Sequence, residues 1–245
     1  MLAKFQTALH LLFPPRCVGC GDLVESDFGL CGPCWRETPF AGGLVCEKCG
    51  IPVHGQEDQA PVLCDDCLRY ERPWSHGRTA LLYRDNGRKL VLAIKHGDRY
   101  DVVHPAARWL ALAAKPLLCK LDDQILIAPV PLHRSRLFKR RFNQSALLAR
   151  ALARSLNKPY CLDLLHRPTV SGNMRGLDHG ERFAKMQGSM VVNPKRTGVV
   201  RDRTVLIVDD VMTSGATLSA ATLAAFDAGA RDVQTVTLAR VAKND

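Results

Sequence analysis

Short apolar runs in the last two thirds of the chain predict the strands of a buried sheet. These runs are residues 78–83, 124–129, 205–209 and 234–238. Runs of this length suit strands and are too short for stable helices. The stretch 205–208 is wholly apolar, as expected for a central strand of a parallel sheet that is covered on both faces.

Helical periodicity separates these strands. Leu90, Val91 and Ile94 mark one face of a helix that ends near residues 95–97. Longer helices are predicted over residues 105–118, 145–156 and 216–228. In the first of these, Trp109 and Leu112 are expected to face inward. Strands that alternate with helices indicate an α/β fold, in which a parallel sheet is flanked by helices.

The first 75 residues have a different pattern, since cysteines recur there in four Cys-x-x-Cys pairs. The composition changes after Trp74, so we predict an N-terminal module over residues 1–75 and a larger domain over residues 76–245. Two thiolates separated by two residues reach the same metal ion, and two such pairs complete a tetrahedral structural zinc site. The predicted zinc ligands are Cys17, Cys20, Cys31, Cys34, Cys46, Cys49, Cys64 and Cys67.

The sequence allows two assignments of the eight cysteines to the two zinc ions. The spacing favours successive zinc ribbons, with residues 17, 20, 31 and 34 on one ion and residues 46, 49, 64 and 67 on the other. The alternative is interleaved, with residues 17, 20, 46 and 49 on one ion. A disulfide framework is disfavoured because no secretory signal precedes the cysteines. A redox role requires a thioredoxin-like strand and helix, which the pattern lacks.

Charge divides the two parts of the chain. Residues 1–75 carry 6 Lys and Arg against 10 Asp and Glu, whereas residues 76–245 carry 28 against 14. The larger domain is therefore suited to polyanionic ligands such as a pyrophosphorylated sugar, a nucleotide or nucleic acid. The acidic module is poorly suited to a phosphate backbone. We expect it to dock on the larger domain or on a protein partner.

Apolar stretches are too short for membrane insertion. Residues 1–13 are mildly amphipathic, and the longest apolar stretch elsewhere is residues 109–114. A bilayer span needs about 20 apolar residues. We therefore predict a cytoplasmic protein that does not enter the membrane.

Two carboxylates and a hydroxyl-rich turn follow the strand at residues 205–208. Asp209 and Asp210 are expected at its carboxyl end, where they can accept hydrogen bonds from ribose hydroxyls or hold a magnesium ion through water. The next residues form a predicted phosphate loop at the start of a helix, where unpaired amides bind anions. The alternative is an ordinary capped turn with solvated acids. The phosphate loop consists of Val211, Met212, Thr213, Ser214, Gly215, Ala216 and Thr217.

A basic segment, residues 130–144, follows the strand at 124–129. It carries Arg134, Arg136 and residues 139–141 without a compensating acid, which favours a loop that holds a pyrophosphate. The alternatives are a solvated turn or a nucleic-acid contact. In the latter case Phe138 or Phe142 stacks on a base, although both rings also suit anchoring to the core.

Residues 167–182 are polar, contain glycine and show little periodicity. A loop of this length is typical of a functional flap, here one that closes over a sugar phosphate. Arg182 is a candidate phosphate ligand within it, with an exposed arginine at a helix start as the alternative. His133, His166 and His179 are interpreted as surface or packing residues.

The chain resembles the ComF family of competence-associated proteins in its four cysteine pairs, residues 129–132, residues 141–144 and the phosphate loop, in that order. The phosphate loop resembles the phosphoribosyl pyrophosphate (PRPP) motif of type I phosphoribosyltransferases. The resemblance implies a double zinc ribbon joined to such a domain. This chain departs from the family where a glycine is usual, at Arg141, and in the flap, near Met174 and Lys185.

The resemblance also implies roles for residues. Asp209 and Asp210 take the ribose hydroxyls, and residues 213–217 take the 5-phosphate, with Val211 and Met212 as further cofactor-binding residues. Arg134, with Pro131 and Leu132, takes the pyrophosphate of a PRPP–Mg²⁺ complex. The implied activity is phosphoribosyl transfer with release of pyrophosphate, in a protein linked to DNA uptake. The alternative is a non-enzymatic protein that binds PRPP or single-stranded DNA and contacts competence or recombination proteins. The residues that bind an acceptor are not identified by any motif.

Overall fold

The structure is a computed structural model that describes residues 13–55, 61–96, 99–118, 125–168, 179–186 and 188–242. Its centre is a sheet of four parallel strands in the order β1, β6, β5, β2. A two-stranded antiparallel sheet joins β3 and β4. The strands are β1 (His76–Leu82), β2 (Ile125–Pro129), β3 (Leu165–His166), β4 (Val191–Val192), β5 (Thr204–Met212) and β6 (Asp232–Arg240).

Nine α-helices lie within the described residues. Short 3₁₀ helices also occur at Tyr100–Val102 and Pro194–Arg196. The α-helices are α1 (Gly32–Glu37), α2 (Asp65–Arg69), α3 (Asp85–His96), α4 (Val103–Leu118), α5 (Arg134–Arg140), α6 (Gln144–Leu156), α7 (His179–Met186), α8 (Thr197–Val200) and α9 (Ala216–Asp227). The predicted α/β fold, a parallel sheet flanked by helices, is confirmed.

Alternate residues of each strand point to opposite faces of the sheet and enter two separate cores. Ile127 and Val208 pack with α3, α4 and α6 on one face. Leu126 and Ile207 enter the core of the other face, together with α9 and three cysteines of the N-terminal module, Cys46, Cys49 and Cys67. The module is therefore docked on the larger domain, as expected from its charge, and closes part of one face of the sheet.

Polar contacts fix this docking. Glu47 accepts two hydrogen bonds of 2.9 Å from the Arg78 guanidinium on β1. The indole of Trp74, which is fully buried, donates to the Lys48 carbonyl over 2.6 Å, and the Lys48 ammonium donates back to the Trp74 carbonyl over 2.7 Å. The turn between Cys46 and Cys49 is thereby held against the edge of the sheet.

Three sequence-based expectations need correction. Leu112 is 69% exposed, because the buried face of α4 runs through Ala106, Trp109 and Leu110 and places Leu112 on the opposite side. The basic segment, predicted as a loop, contains α5, since its arginines, leucine and lysine favour helix. Finally, β5 continues to Met212, so both acids and the start of the phosphate loop lie within the strand.

Within the ranges that the structure describes, no helix combines the length and apolar character needed to cross a bilayer.

Candidate functional site

The eight paired cysteines form two clusters in chain order. One contains Cys17, Cys20, Cys31 and Cys34, the other Cys46, Cys49, Cys64 and Cys67, and within each cluster the Sγ atoms lie within 4.8 Å of one another. This is the sequential pairing and not the interleaved one. In each cluster the second pair begins a helix, since Cys31 is the N-cap of α1 and Cys64 the N-cap of α2.

The surroundings of the sulfurs fit zinc. The amides of Gly19 and Cys31 donate to Cys17 Sγ over 3.4 and 3.2 Å. Burial raises the pKa of the Cys17 thiol, but hydrogen bonds from the backbone of Cys31, Cys20 and Gly19 outweigh it and lower the pKa to about 6. Amide donors thus favour the thiolate, which is the form that binds metal. Four sulfurs leave no open position, so both sites are of the structural kind.

The adjacent acids of β5 have different environments. Asp209 is buried, and its Oδ1 accepts hydrogen bonds from Ser145 Oγ at 2.8 Å and from the Asp210 amide at 2.9 Å. Asp210 Oδ2 lies 3.2 Å from the Lys95 ammonium at the end of α3. Lys95 and Ser145 were not identified from the sequence. Both belong to helices that are distant in the chain and that approach the carboxyl end of β5. No local sequence pattern predicts such a contact.

Burial controls the charge of Asp209. It raises the pKa of the carboxyl to about 7, and the charge of Asp210 raises it further, against the lowering effect of Ser145, the Asp210 amide and Lys95. Asp209 is therefore partly protonated at neutral pH. A cation placed beside it favours the charged form.

The phosphate loop leads into the N-terminus of α9. Gly215 is the N-cap with a φ of +87°. This φ lies in the left-handed region that favours glycine, and an added Cβ would also displace the ends of the Arg72 and Met212 side chains, at 2.7 and 2.8 Å. Thr213 is exposed and Thr217 half-buried. The loop therefore has hydroxyl groups beside the amides of a twelve-residue helix, which is a favourable arrangement for an anion.

Two buried arginines bind the carbonyl oxygens of the same turn. Arg72 Nη1 donates to the Ser214 carbonyl over 2.6 Å. Arg240, at the end of β6, donates to the carbonyls of Thr213 and Val241. Neither arginine was predicted as part of the site, because buried arginines of a linker and of a strand end have no sequence signature.

The basic segment borders a cavity of about 580 Å³. Pro131, Leu132 and Arg134 line it, and so do Asn143 and Arg167. The lining includes no residue of the phosphate loop, so the structure does not place Arg134 and the phosphate loop in one cavity. The two regions are neighbours through α6, whose N-cap Asn143 faces the cavity and whose second residue is Ser145.

The aromatic residues of the basic segment differ in position. Phe138 is 86% exposed on α5. Phe142 packs on Tyr100, with ring centroids 5.2 Å apart. Phe142 thus contacts a ring that is itself 53% exposed, whereas Phe138 faces outward beside exposed Arg134 and Arg136.

Arg167 connects the cavity with the acids. Burial lowers the pKa of its guanidinium, as does the positive charge of Arg136, while Asp209 raises it. Arg167 therefore lies within electrostatic reach of both the basic helix and the buried carboxylate. It marks the start of the predicted flap.

Much of that flap, residues 169–178, lies outside the described residues. From residue 179 the chain is helical in α7, so the final part is not a loop. Arg182 lies on α7, and its side chain is outside the described part of the structure, as is that of His179. His133 is the N-cap of α5, where its Nδ1 accepts from the Ser135 amide over 3.2 Å. His166 lines the cavity.

Comparison with known families gives two matches. The family described as "Double zinc ribbon domain" matches residues 8–68. The family described as "Phosphoribosyl transferase domain" matches residues 143–245, which include β5, the phosphate loop and α9.

Curated relatives are similar along nearly the whole chain. Competence protein F of Haemophilus influenzae is 27% identical over 230 residues, which are 92% of this chain and 96% of that protein. DNA utilization protein YhgH of Escherichia coli K12 is 28% identical over 236 residues, 94% of this chain and 99% of that protein. Competence protein ComFC of Bacillus subtilis is 22% identical over 227 residues, 89% and 87% of the two chains.

Proposed function

Since this chain belongs to the ComF family, we propose that its larger domain binds PRPP with Mg²⁺ and transfers the phosphoribosyl group to an acceptor. One observation carries the proposal. Asp209 and Asp210 stand side by side in β5, immediately before a turn that presents the N-terminus of α9 at Gly215. Paired acids next to an anion-binding turn suit a ligand that carries a diol beside a phosphate.

Each group of the ligand has a proposed partner. Asp209 and Asp210 accept hydrogen bonds from the 2- and 3-hydroxyls of the ribose. Residues 213–217 bind the 5-phosphate through amides and hydroxyls, and Val211 and Met212 lead into them at the end of β5. Arg134 binds the pyrophosphate, and the backbone of Pro131 and Leu132 lies beside it in the same site. Arg182 is a further candidate for the pyrophosphate.

The proposed reaction is a substitution at the anomeric carbon. The bond from C1 to the pyrophosphate oxygen breaks, and its electron pair leaves with pyrophosphate. A lone pair of the acceptor forms the new bond to C1, and the acceptor loses a proton. Mg²⁺ neutralises charge on the leaving pyrophosphate when it is bound. Arg134 adds positive charge from the protein, and Asp209 and Asp210 orient the ribose while C1 becomes cationic.

Lys95 has a place in this proposal. In the free protein its ammonium neutralises Asp210 over 3.2 Å. Both side chains are largely buried, so the pair is worth more than an exposed one. When a magnesium-bound sugar phosphate enters, Lys95 is free to turn from Asp210 toward the phosphates.

The test is titration of the zinc-loaded protein with PRPP and Mg²⁺ by calorimetry. We expect saturable binding that Asp210→Asn weakens at least tenfold. Asp227→Asn, at the far end of α9, is the control and leaves binding unchanged. Transfer is then measured as pyrophosphate release in the presence of nitrogen acceptors. The proposal is refuted when millimolar PRPP does not bind to wild-type protein.

A second function, binding of single-stranded DNA, is favoured by Phe138. This ring is 86% exposed and lies on α5 between basic residues. An exposed aromatic ring among arginines is suited to stack on a base while the charges contact phosphates. The names of the relatives, which refer to competence and DNA utilization, agree with such a partner.

Fluorescence anisotropy with labelled oligonucleotides tests this second function. We expect affinity to fall as salt rises, because phosphate contacts release counterions. Phe138→Ala is expected to weaken binding about tenfold, in line with about 1–3 kcal/mol for one stacked base. Leu112→Ala, which removes another exposed apolar side chain, on α4, is the control. Equal effects of the two substitutions would rule out stacking on Phe138.

A further inference from the structure

Arg72 lies buried between the N-terminal module and the phosphate loop. Its Nη1 donates to the Ser214 carbonyl over 2.6 Å, and its guanidinium lies 5.8 Å from the ring centroid of Trp74 and 6.0 Å from that of Phe183. Its Nε and Nη2 have no hydrogen-bond partner among the described residues. A buried guanidinium with unpaired donors is costly unless negative charge lies nearby.

The second zinc site, Cys46, Cys49, Cys64 and Cys67, supplies such a charge. Cys46, Cys49 and Cys67 pack in one core with Trp74 and Phe183, and the Arg72 guanidinium lies over the rings of these two residues. Arg72 therefore borders the core that the second zinc site helps to build. Four thiolates on a divalent ion carry two net negative charges, which compensate a buried arginine.

A second connection runs through Asp66, which lies between two ligands of the same site. Its Oδ2 accepts a hydrogen bond of 3.1 Å from Arg240 Nη2. The other terminal nitrogen of Arg240 donates to the carbonyls of Thr213 and Val241. Arg240 is 2% exposed, so its guanidinium is shielded from water.

The first zinc site, Cys17, Cys20, Cys31 and Cys34, contacts a different part of the protein. The Cys34 carbonyl accepts from Asn86 on α3 over 3.1 Å. The Val18 carbonyl, next to Cys17, accepts from Arg99 over 3.3 Å. These contacts lie on the face of α3 and α4, away from the phosphate loop.

We propose that the second zinc site positions the phosphate loop through Arg72 and through the Asp66–Arg240 pair. The two arginines hold the carbonyl oxygens of Thr213 and Ser214 on the module side. The amides of the same turn are thereby kept available to a phosphate on the other side. Arg72 and Arg240 are positioning residues, and the proposal rests on the proposed function of the loop as a phosphate site.

The test compares Arg72→Met with Arg78→Met. Both arginines are buried at the same junction, but Arg78 binds Glu47 and, among the described residues, forms no hydrogen bond with the phosphate loop. We expect Arg72→Met to weaken binding of PRPP–Mg²⁺ at least tenfold, and Arg78→Met to change it less than twofold. Zinc content, measured by atomic emission, and the melting temperature of each variant separate this effect from general loss of structure.

Asp66→Asn and Asp65→Asn form a second matched pair at the start of α2. Each removes one negative charge beside the same zinc ligands, but only Asp66 accepts from Arg240. We expect weaker PRPP binding for Asp66→Asn alone, by about threefold to tenfold. If Arg72→Met does not fold, this pair of variants tests whether the second zinc site positions the phosphate loop.

Amide hydrogen exchange in the free protein gives a readout that does not depend on PRPP. We expect faster exchange at residues 213–217 in Arg72→Met and Asp66→Asn, and unchanged exchange there in Arg78→Met and Asp65→Asn. If wild-type protein does not bind PRPP, the proposed function fails while exchange still tests the coupling. If exchange and binding in Arg72→Met and Asp66→Asn match those of their controls, the coupling is overturned.

Discussion

Ser145 Oγ donates a hydrogen bond of 2.8 Å to the buried carboxyl of Asp209, a residue 64 positions away in the chain. This bond joins the start of α6 to the carboxyl-terminal part of β5. It stabilises the charged form of Asp209, which burial keeps partly neutral. Asp209 therefore links the pH to both the stability of the fold and the charge of the proposed ligand site.

The pH dependence of stability follows from Asp209. Its pKa is near 3.8 when unperturbed and about 7 in the folded protein. Between these values the folded state retains a proton that the unfolded chain has released, so the stability contributed by this residue is lost as the pH rises. Asp209→Asn keeps an oxygen acceptor for Ser145 and has no charge. We expect it to raise the free energy of unfolding at pH 8 by on the order of 3 kcal/mol, with little change at pH 4. Urea unfolding at both pH values measures this, and an equal change at both would contradict it.

Lys95 is expected to weaken the binding of a metal ion to Asp209 and Asp210. Its ammonium lies 3.2 Å from Asp210 Oδ2, so removal of this charge leaves Asp210 without its ion-pair partner among the described residues. We expect Lys95→Met to bind Mg²⁺ about tenfold more tightly than wild type, equivalent to about 1.4 kcal/mol. Lys89→Met, at an exposed position of the same helix, is the control. Calorimetry with Mg²⁺ alone measures the affinities, and a value for Lys95→Met no tighter than wild type would count against this role.

Gly215 is the most constrained glycine of the proposed site. An added Cβ would lie 2.7 Å from Arg72 Nη1, and the φ of +87° disfavours any other residue. We expect Gly215→Ala to lower the free energy of unfolding by about 1–3 kcal/mol and to abolish detectable PRPP binding. Gly198→Ala, in α8 with no atom near its Cβ, is expected to be neutral or slightly stabilising. Thermal melts and calorimetry on both variants check this, and similar behaviour of the two would refute it.

Arg141 occupies a left-handed conformation with a φ of +65° at the end of α5. The family resemblance places a glycine there, and the backbone explains why, since only glycine adopts this conformation without cost. We expect Arg141→Gly to raise the free energy of unfolding by about 1 kcal/mol. Arg140→Gly, one residue earlier and within the helix, is expected to lower it by about 1 kcal/mol. Thermal or urea unfolding of both variants measures the change in the free energy of unfolding. A lower value for Arg141→Gly than for wild type would contradict the argument.

The fold was largely predictable because strands and helices have local periodicity. The four strands of the main sheet were located to within a few residues, and the apolar stretch before Asp209 is indeed central. Errors arose where polar composition was equated with irregular structure, as in α5. Leu112 was misplaced because the apolar residues of α4 extend around more than one face.

The proposed site was predictable only in part. Asp209, Asp210 and the phosphate loop are contiguous in the chain, and so a motif identifies them. Lys95, Ser145, Arg72 and Arg240 reach the same place from distant segments, and their side chains are selected by three-dimensional contact. Sequence periodicity contains no information on such contacts.

One core of the sheet is built partly from cysteines of the second zinc site, which pack with α9 and with Leu126, Val205 and Ile207. Structural metal ions of this kind contribute on the order of 10 kcal/mol to the folding of small modules. The packing on this face of the sheet therefore depends on a bound metal ion. When zinc is scarce, we expect the face of the sheet beside α9 to lose part of its core, so that the stability of the protein follows the supply of the metal.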